Sequence, residues 1–361
     1  MNANELGLKE VINASGKMTI LGVSTVSEKV WDAQKFGGQN FFEMEELMVQ
    51  SGKYLAGLFG AEDVQIVASA SAGIAQSVAA LIGKGSLNHV YHPYCEKTAP
   101  VREILIPKGH NVDYGTPVEV MVALGGGQLV EAGYANGCSP QHLGMLVSDK
   151  TAAILYIKSH HCVQKSILSV KEAADVAKSR GIPLIVDAAA EEDLFSYLED
   201  GADLVIYSGG KAMSGPSSGL VIGKKPYVEW VRLQSKGIGR AMKIGKENIF
   251  GIMAAVKEYV KAGPEPGALM MARLEPFVDR LNELPHVRAQ IVQDAAGRDI
   301  YRASVKVEGR PATEVIARLK EKSPAIYTRE YQANKGIIEF DIRMVTKEQL
   351  VKIIQRLEEV L

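Results

Sequence analysis

Short apolar runs alternate with stretches of helical spacing along the first two thirds of the chain. The runs are bounded by Gly, Pro or Asp, and they are too short and too rich in β-branched residues to be helices. They predict seven strands, at residues 64–68, 89–92, 104–106, 152–157, 183–187, 204–207 and 220–223. Strands that alternate with helices indicate an α/β fold with a doubly wound, mostly parallel sheet, in which the run at 220–223 returns along an edge.

The pattern changes after residue 262. A long helix over 249–260 precedes the Gly- and Pro-rich segment 263–267, which is typical of a domain boundary. Beyond it, alternating segments at 287–291, 303–307 and 337–342 predict strands, and 347–361 predicts an amphipathic helix. We therefore expect a large domain over 1–262, with an N-terminal arm that includes a strand near 10–14, and a small α+β domain over 263–361.

Composition excludes several classes of protein. The 361 residues carry 41 Lys and Arg against 42 Asp and Glu, a balance that points to neither nucleic acid nor a membrane surface as partner. The opening residues 1–5 do not resemble a signal peptide, so a cytoplasmic location is the expectation. Cys95, Cys138 and Cys162 are too widely spaced for a zinc site and predict reduced thiols, and no metal site is expected.

Three features follow predicted strands, at the sheet edge where α/β proteins bind ligands. Residues Ser69, Ala70 and Ser71 open a helix with small side chains and can present backbone N–H groups to a phosphate, although an ordinary helix cap would look the same. Asp187 ends an apolar strand and can hold a pyridine nitrogen protonated, or simply cap a helix. Lys211 lies in a Gly/Ser loop after the next strand and can form a Schiff base with pyridoxal phosphate, or be a surface lysine.

The order of these three features, with the motifs around them, resembles the fold-type I pyridoxal phosphate enzymes of the selenocysteine synthase (SelA-like) family. The resemblance covers nearly the whole chain and rests on residues 11–16, 60–62, 69–73, 187, 208–219 and 239–246. Within that group the chain is most similar to the D-glucosaminate-6-phosphate ammonia-lyases. It has no evident N-terminal tRNA-binding domain, and residues 91–94 read Tyr-His-Pro-Tyr where selenocysteine synthase has an arginine-centred loop.

The resemblance implies roles for individual residues. Lys211 becomes the Schiff-base lysine and general base, and Asp187 the partner of the ring nitrogen. Ala70, Ser71 and Ser208 would bind the cofactor phosphate, with Ser69 in the same turn. Either Tyr91 or His92, at the end of the second predicted strand, would stack on the ring.

Substrate-binding candidates are less specific. His160 and His161 follow the fourth predicted strand, where one of them would face the site as a substrate-binding or acid/base residue, because neighbouring strand residues face opposite ways. Arg240 and Lys243 lie one helical turn apart and would bind a carboxylate or phosphate, unless they form a solvated basic face. Lys17, in the N-terminal arm, is a weaker candidate of the same kind.

The expected reaction is α,β-elimination of water from D-glucosaminate 6-phosphate, giving 2-keto-3-deoxy-6-phosphogluconate and ammonia. The same cofactor chemistry would serve an aldolase, a racemase or a β-replacement enzyme, and a selenocysteine synthase-like protein acting on aminoacyl-tRNA is a further alternative. Enzymes of this kind are homo-oligomers, so at least a dimer is expected.

Overall fold

A computed structural model of the protein describes residues 5–294 and 297–361. Residues 1–4, on which the prediction of a missing signal peptide largely rests, lie outside the described residues. Backbone contacts divide the chain into two units. One contains residues 25–263, and the other combines the N-terminal segment up to Ser24 with Pro264–Leu361.

Strands and helices are numbered here in chain order over the described residues. The strands are β1 Val11–Ala14, β2 Asp63–Val67, β3 Glu103–Pro107, β4 Gln128–Ala132, β5 Thr151–Ile157, β6 Leu184–Asp187, β7 Leu204–Ser208, β8 Gly219–Gly223, β9 Val287–Gln293, β10 Tyr301–Val307, β11 Ala325–Thr328 and β12 Ile337–Phe340. The helices are α1 Glu28–Gln39, α2 Met44–Phe59, α3 Ala70–Gly83, α4 Leu87–Tyr91, α5 Val118–Leu124, α6 Pro140–Leu146, α7 Val170–Arg180, α8 Ser196–Glu199, α9 Lys225–Leu233, α10 Lys246–Ala262, α11 Gly267–Asn282, α12 Ala312–Glu321 and α13 Lys347–Val360.

The large unit is built on a seven-stranded sheet in the order β2-β8-β7-β6-β5-β3-β4. Only β8 runs against its neighbours, so within the described residues the sheet is mixed but mostly parallel, as predicted. Successive strand residues face opposite layers: Leu105 packs in one hydrophobic cluster, while Ile104 and Ile106 pack in the other. Buried on both faces, the central strands are continuous apolar runs, which is why the sequence reveals them.

Three details of the predicted sheet are wrong. Residues 89–92 are not a strand, because Leu87–Tyr91 is a short helix capped by the Ser86 hydroxyl, which accepts from His89 N–H. The seventh strand is instead β4, which is only partly buried and, within residues 5–294 and 297–361, pairs with β3 alone at an edge of the sheet. The run at 220–223 does form a strand, but β8 lies between β2 and β7 rather than at an edge.

The small unit contains a three-stranded antiparallel sheet, β12-β10-β9, with α11, α12 and α13 contributing to its core. The N-terminal strand β1 pairs in parallel with β11, in the register Val11 to Ala325. The N-terminal segment, which the prediction grouped with the large domain, is therefore placed with the C-terminal residues by its hydrogen bonds. The division by backbone contacts falls after Gly263, and the domain bounds 1–262 and 263–361 stay a prediction.

A buried ion network crosses this small unit. The fully buried carboxylate of Asp341 accepts from Arg302 Nε at 3.1 Å and from two nitrogens of Arg343 at 3.0 and 2.9 Å. Burial opposes the charge of Asp341, but Arg343 and Arg302 outweigh it and lower the pKa to about 2. The carboxylate therefore ties together the strand β10 and the turn after β12.

Among the residues described, no helix combines the length and apolar character that crossing a bilayer requires. In the same residues no group of three or more His, Cys, Asp or Glu side chains is arranged to hold a metal ion. Cys138 and Cys162 are buried thiols, and Cys95 is exposed.

Candidate active site

The turn between β2 and α3 leads into a helix that starts with small residues. Ser69 is extended at φ −164° and its hydroxyl accepts from Ala72 N–H at 3.0 Å, so the cap leaves the first N–H groups of α3 pointing away from the helix. The first residue of β8 lies against this turn: a Cβ built on Gly219 would meet the Ser69 carbonyl at 2.5 Å and Ala70 N at 2.7 Å. Only glycine permits that approach, which holds Ser69, Ala70 and Ser71 at the ligand edge of the sheet.

Asp187 is the last residue of β6 and is almost completely buried. Burial raises its pKa from 3.8 to about 6, and a hydrogen bond from Ala189 N–H at 3.0 Å and the charge of Lys211 offset only part of this effect. A cationic group placed beside such a buried carboxylate stabilises its charged form. The expected position at a strand end is therefore observed, and its electrostatics suit a protonated ring nitrogen.

Lys211 lies in the loop that follows β7, near enough to Asp187 to influence its titration. The loop is closed by backbone hydrogen bonds from Lys211 N–H to Ser208 carbonyl and from Gly215 N–H to Gly209 carbonyl. A Cβ on Gly209 would lie 2.1 Å from Ser218 Oγ, so the tight packing requires glycine there. Ser208 itself is half-buried at the end of β7 and next to the segment after β6, since its N–H points to Ala189 carbonyl at 3.4 Å.

Two residues that sequence reasoning missed follow β3. The His110 side chain is buried, and its Nδ1 accepts a hydrogen bond from Ile157 N–H. Its ring packs edge-on against the ring of Tyr156, with the two centroids 4.5 Å apart. Burial, helped by the charge of Lys158, lowers its pKa to about 4, so the ring is neutral and carries its proton on Nε2. Tyr114 lies in the turn before α5, near both Ser71 and Asp187. Taking the residues after the correctly predicted strand at 104–106 would have found both of them.

The expected ring-stacking candidates are not on a strand. Tyr91 ends α4 and His92 follows it, and both side chains are exposed. The prediction placed both residues at the end of a strand, but the segment is helical, so that position is not observed. Their stacking role has no support from this placement.

His160 and His161 lie in the turn after β5 rather than on the strand, so strand alternation does not separate them. Their rings stack on each other at 4.1 Å with a 36° tilt. The two imidazole rings are therefore neighbours. They lie just past the end of β5, which pairs with β6 next to Asp187.

Arg240 and Lys243 line a different part of the large unit. Arg240 ends a 3-10 turn and Lys243 lies in the irregular segment before α10, so no continuous helix places them on one face as expected. Both are exposed along a cleft of about 760 Å³, which also has an apolar wall formed by residues such as Met44, Met48 and Met242. The residues that line this cleft do not include Lys211, Asp187 or Ser71. Lys17 follows β1 in the small unit.

The groups at the strand ends fit pyridoxal phosphate. A helix N-terminus with small residues suits the phosphate, a buried carboxylate with a raised pKa suits the ring nitrogen, and a lysine near that carboxylate suits the aldehyde. A mostly parallel sheet that carries these three groups, with a separate α+β unit formed partly by the C-terminus, defines a fold-type I pyridoxal phosphate enzyme.

Residues 11–313 match the family described as "SelA: L-seryl-tRNA selenium transferase", and the chain belongs to that family. Its sequence is 43% identical, over 99% of this chain and 96% of the relative, to a D-glucosaminate-6-phosphate ammonia lyase of Salmonella typhimurium. A solved structure of D-glucosaminate-6-phosphate ammonia-lyase superposes with a TM-score of 0.92 at 42% identity, covering 99% of this chain and 97% of the other. A 5'-C-glycyluridine monooxygenase-decarboxylase of a Streptomyces species is 36% identical over 100% of this chain and 92% of the relative.

Proposed function

We propose that this protein is an ammonia-lyase that converts D-glucosaminate 6-phosphate to 2-keto-3-deoxy-6-phosphogluconate and ammonia. The observation that carries the proposal is the similarity to the Salmonella ammonia lyase, which extends over both chains at 43% identity. The three strand-end features of the candidate site fit the cofactor that such a reaction needs. A cytoplasmic location remains a prediction.

Pyridoxal phosphate, when bound, supplies an electron sink for the negative charge left at Cα of the substrate. In the proposed mechanism the amine of Lys211 removes the Cα proton, and Asp187 keeps the ring nitrogen protonated through its buried carboxylate. Ser69, Ala70, Ser71 and Ser208 hold the cofactor phosphate. These roles rest on placement: each named residue either ends or follows β2, β6 or β7, at one edge of the sheet.

The hydroxyl on C3 of the substrate must leave with a proton, because hydroxide is a poor leaving group. Protonated Lys211 is one candidate donor. His160 and His161 are the other candidates, since their stacked rings lie just past the end of β5, beside β6. A variant with both histidines changed to glutamine separates the two: loss of turnover with normal cofactor absorbance would assign the acid to the histidines.

For the phosphate or carboxylate of the substrate we propose Arg240 and Lys243, which add positive charge to the rim of the 760 Å³ cleft. Lys17 stays a prediction of the same kind. If the assignment holds, Arg240→Gln raises KM for the phosphorylated substrate about tenfold and leaves KM for unphosphorylated glucosaminate nearly unchanged. An equal change for both substrates would instead indicate a carboxylate contact.

A second copy of this chain is the proposed partner. In the large unit, Trp31, Phe36 and Phe41 leave 56%, 51% and 100% of their surface exposed around the α1–α2 connection. An exposed aromatic group of this size is typical of an interface. Sedimentation of the wild type and of Phe41→Asp tests the proposal: a dimer or larger assembly is expected for the wild type, and partial dissociation for the variant.

The central experiment measures ammonia and 2-keto acid released from a panel of 2-amino sugar acids with and without a 6-phosphate. Equal amounts of both products from D-glucosaminate 6-phosphate are expected, and none from Lys211→Ala, which should also lose the visible absorbance of bound cofactor. Lys171→Ala, an exposed lysine on α7, is the matched control. Retained absorbance and turnover in Lys211→Ala would refute the lysine assignment.

The same assay decides between reaction types. Because a relative at 36% identity is named as a monooxygenase-decarboxylase, oxygen uptake and carbon dioxide release are recorded in parallel. Oxygen consumption with no ammonia would overturn the proposal, as would tight, salt-sensitive binding of seryl-tRNA without turnover of any amino sugar acid.

A further inference from the structure

The turn between β3 and α5 presents one aromatic side chain to the interior. Asp113 Oδ1 accepts from Gly115 N–H at 2.7 Å, and Val118 N–H donates to Val112 carbonyl, so the chain doubles back on itself. Its other tip residues, Asp113 and Gly115, are exposed, whereas Tyr114 packs against the hydrophobic cluster beneath α3 and α5. The turn therefore fixes the direction of the Tyr114 ring.

The hydroxyl of Tyr114 is buried and has no hydrogen-bond partner among residues 5–294 and 297–361. Burial raises the pKa of the phenol, while the nearby Ser71 hydroxyl lowers it in part and the charge of Asp187 raises it further. The Ser71 side chain is near enough to influence this pKa, but no hydrogen bond to the Tyr114 hydroxyl meets the distance and angle limits that the other hydrogen bonds meet. A buried, unpaired hydroxyl is unfavourable, and such a group is normally explained by an acceptor that the site receives when it is loaded.

The neighbours of this hydroxyl identify the acceptor. Ser71 belongs to the helix start that binds an anion, and Asp187 is the acceptor for a cationic ring nitrogen; a phenol donor gains nothing from a cation. We propose that Tyr114 Oη donates a hydrogen bond to a phosphate oxygen of the cofactor at the Ser69–Ser71 turn. Tyr114 thus extends the phosphate site by a donor from a third strand-end segment. The assignment rests on the proposed function only in that pyridoxal phosphate is the group bound.

The test is the affinity of Tyr114→Phe for pyridoxal phosphate and for pyridoxal, which lacks the phosphate. Apoenzymes are titrated with each compound, and bound cofactor is followed by its visible absorbance. Because a hydrogen bond to an anion is a strong one, Kd for pyridoxal phosphate should rise about tenfold in the variant. Kd for pyridoxal should be the same in the variant and the wild type.

A stability measurement separates this role from a purely structural one. Removal of an unpaired buried hydroxyl should leave the apoenzyme as stable as the wild type or more stable in urea, while the stabilisation added by pyridoxal phosphate becomes smaller. Tyr94→Phe is the matched control, since it removes an exposed tyrosine hydroxyl that donates to Leu124 carbonyl at 3.0 Å; it should not change either Kd.

Three results would overturn the assignment. Unchanged affinity for pyridoxal phosphate means that the hydroxyl does not contact the cofactor phosphate. An equal loss for pyridoxal and its phosphate means that Tyr114 contacts the ring or supports the fold. A raised KM for phosphorylated substrate with normal cofactor affinity would place the hydroxyl at the substrate phosphate. Failure of the wild type to bind pyridoxal phosphate would instead refute the proposed function.

Discussion

Asp187→Asn should stabilise the apoenzyme while it damages the loaded enzyme. The carboxyl is buried, and its pKa is raised from 3.8 to about 6. A group whose folded-state pKa is raised destabilises the protein as it ionises, so this cost is absent below pH 3.8 and complete above about pH 6. A shift of roughly two units corresponds to about 3 kcal/mol.

The free energy of unfolding of apo Asp187→Asn should therefore exceed that of the wild type by up to about 3 kcal/mol at pH 7.5, and by about half of that at pH 5. Urea unfolding of the two apoenzymes at both values measures the difference. The variant should bind pyridoxal phosphate more weakly and lose most turnover, because a neutral amide cannot hold the ring nitrogen protonated.

The reasoning is refuted if the variant apoenzyme is less stable than the wild type at pH 7.5, or if the difference is independent of pH. Either outcome would mean that Asp187 is well solvated or paired in the absence of the cofactor. Asp175→Asn, on α7, is a suitable control, since its carboxyl has no part in the site.

Three further predictions follow from particular contacts. Gly219→Ala should abolish cofactor absorbance or folding, since its Cβ would lie 2.5 Å from the Ser69 carbonyl. Gly57→Ala is the control: this glycine lies in open space on α2, so the change should raise the free energy of unfolding by about 0.5–1 kcal/mol. His110→Leu leaves a buried backbone N–H unpaired, and we expect a loss of about 1–3 kcal/mol in thermal or urea unfolding. Asp341→Asn breaks the buried ion network and should cost about 3–5 kcal/mol at pH 7, a loss that shrinks only as the pH falls towards 2. Equal stability of Asp341→Asn and the wild type would show that the network is dispensable.

Local signals explain what the sequence predicted correctly. The buried strands β5, β6 and β7 are uninterrupted apolar runs, so they are visible without any knowledge of the fold. Asp187 and Lys211 were predicted as site residues from the strand ends alone, and their roles stay predictions.

Competing local signals explain the errors. Residues 89–92 have strand-like composition, but Ser86 caps a helix there. Four residues are too few for the spacing of apolar positions to distinguish a strand from a helix. The edge strand β4 has polar residues at Gln128 and Glu131 because one of its sides lacks a neighbouring strand, so its pattern is weak. For the stacked histidines, the error lay in extending strand alternation past the end of β5.

The sequence by itself determined the class of fold and the cofactor, because the strands and motifs that indicate them are local. It also predicted Asp187 and Lys211 as site residues from their places beside strand ends. Tertiary structure alone decided three other matters: that β8 packs inside the sheet, that β1 joins the C-terminal unit, and that Tyr114 lies near Ser71 and Asp187. These are contacts between segments that are distant along the chain. These contacts depend on which strands pair, and on how closely a glycine such as Gly219 lets two segments approach. No local sequence pattern predicts either of these.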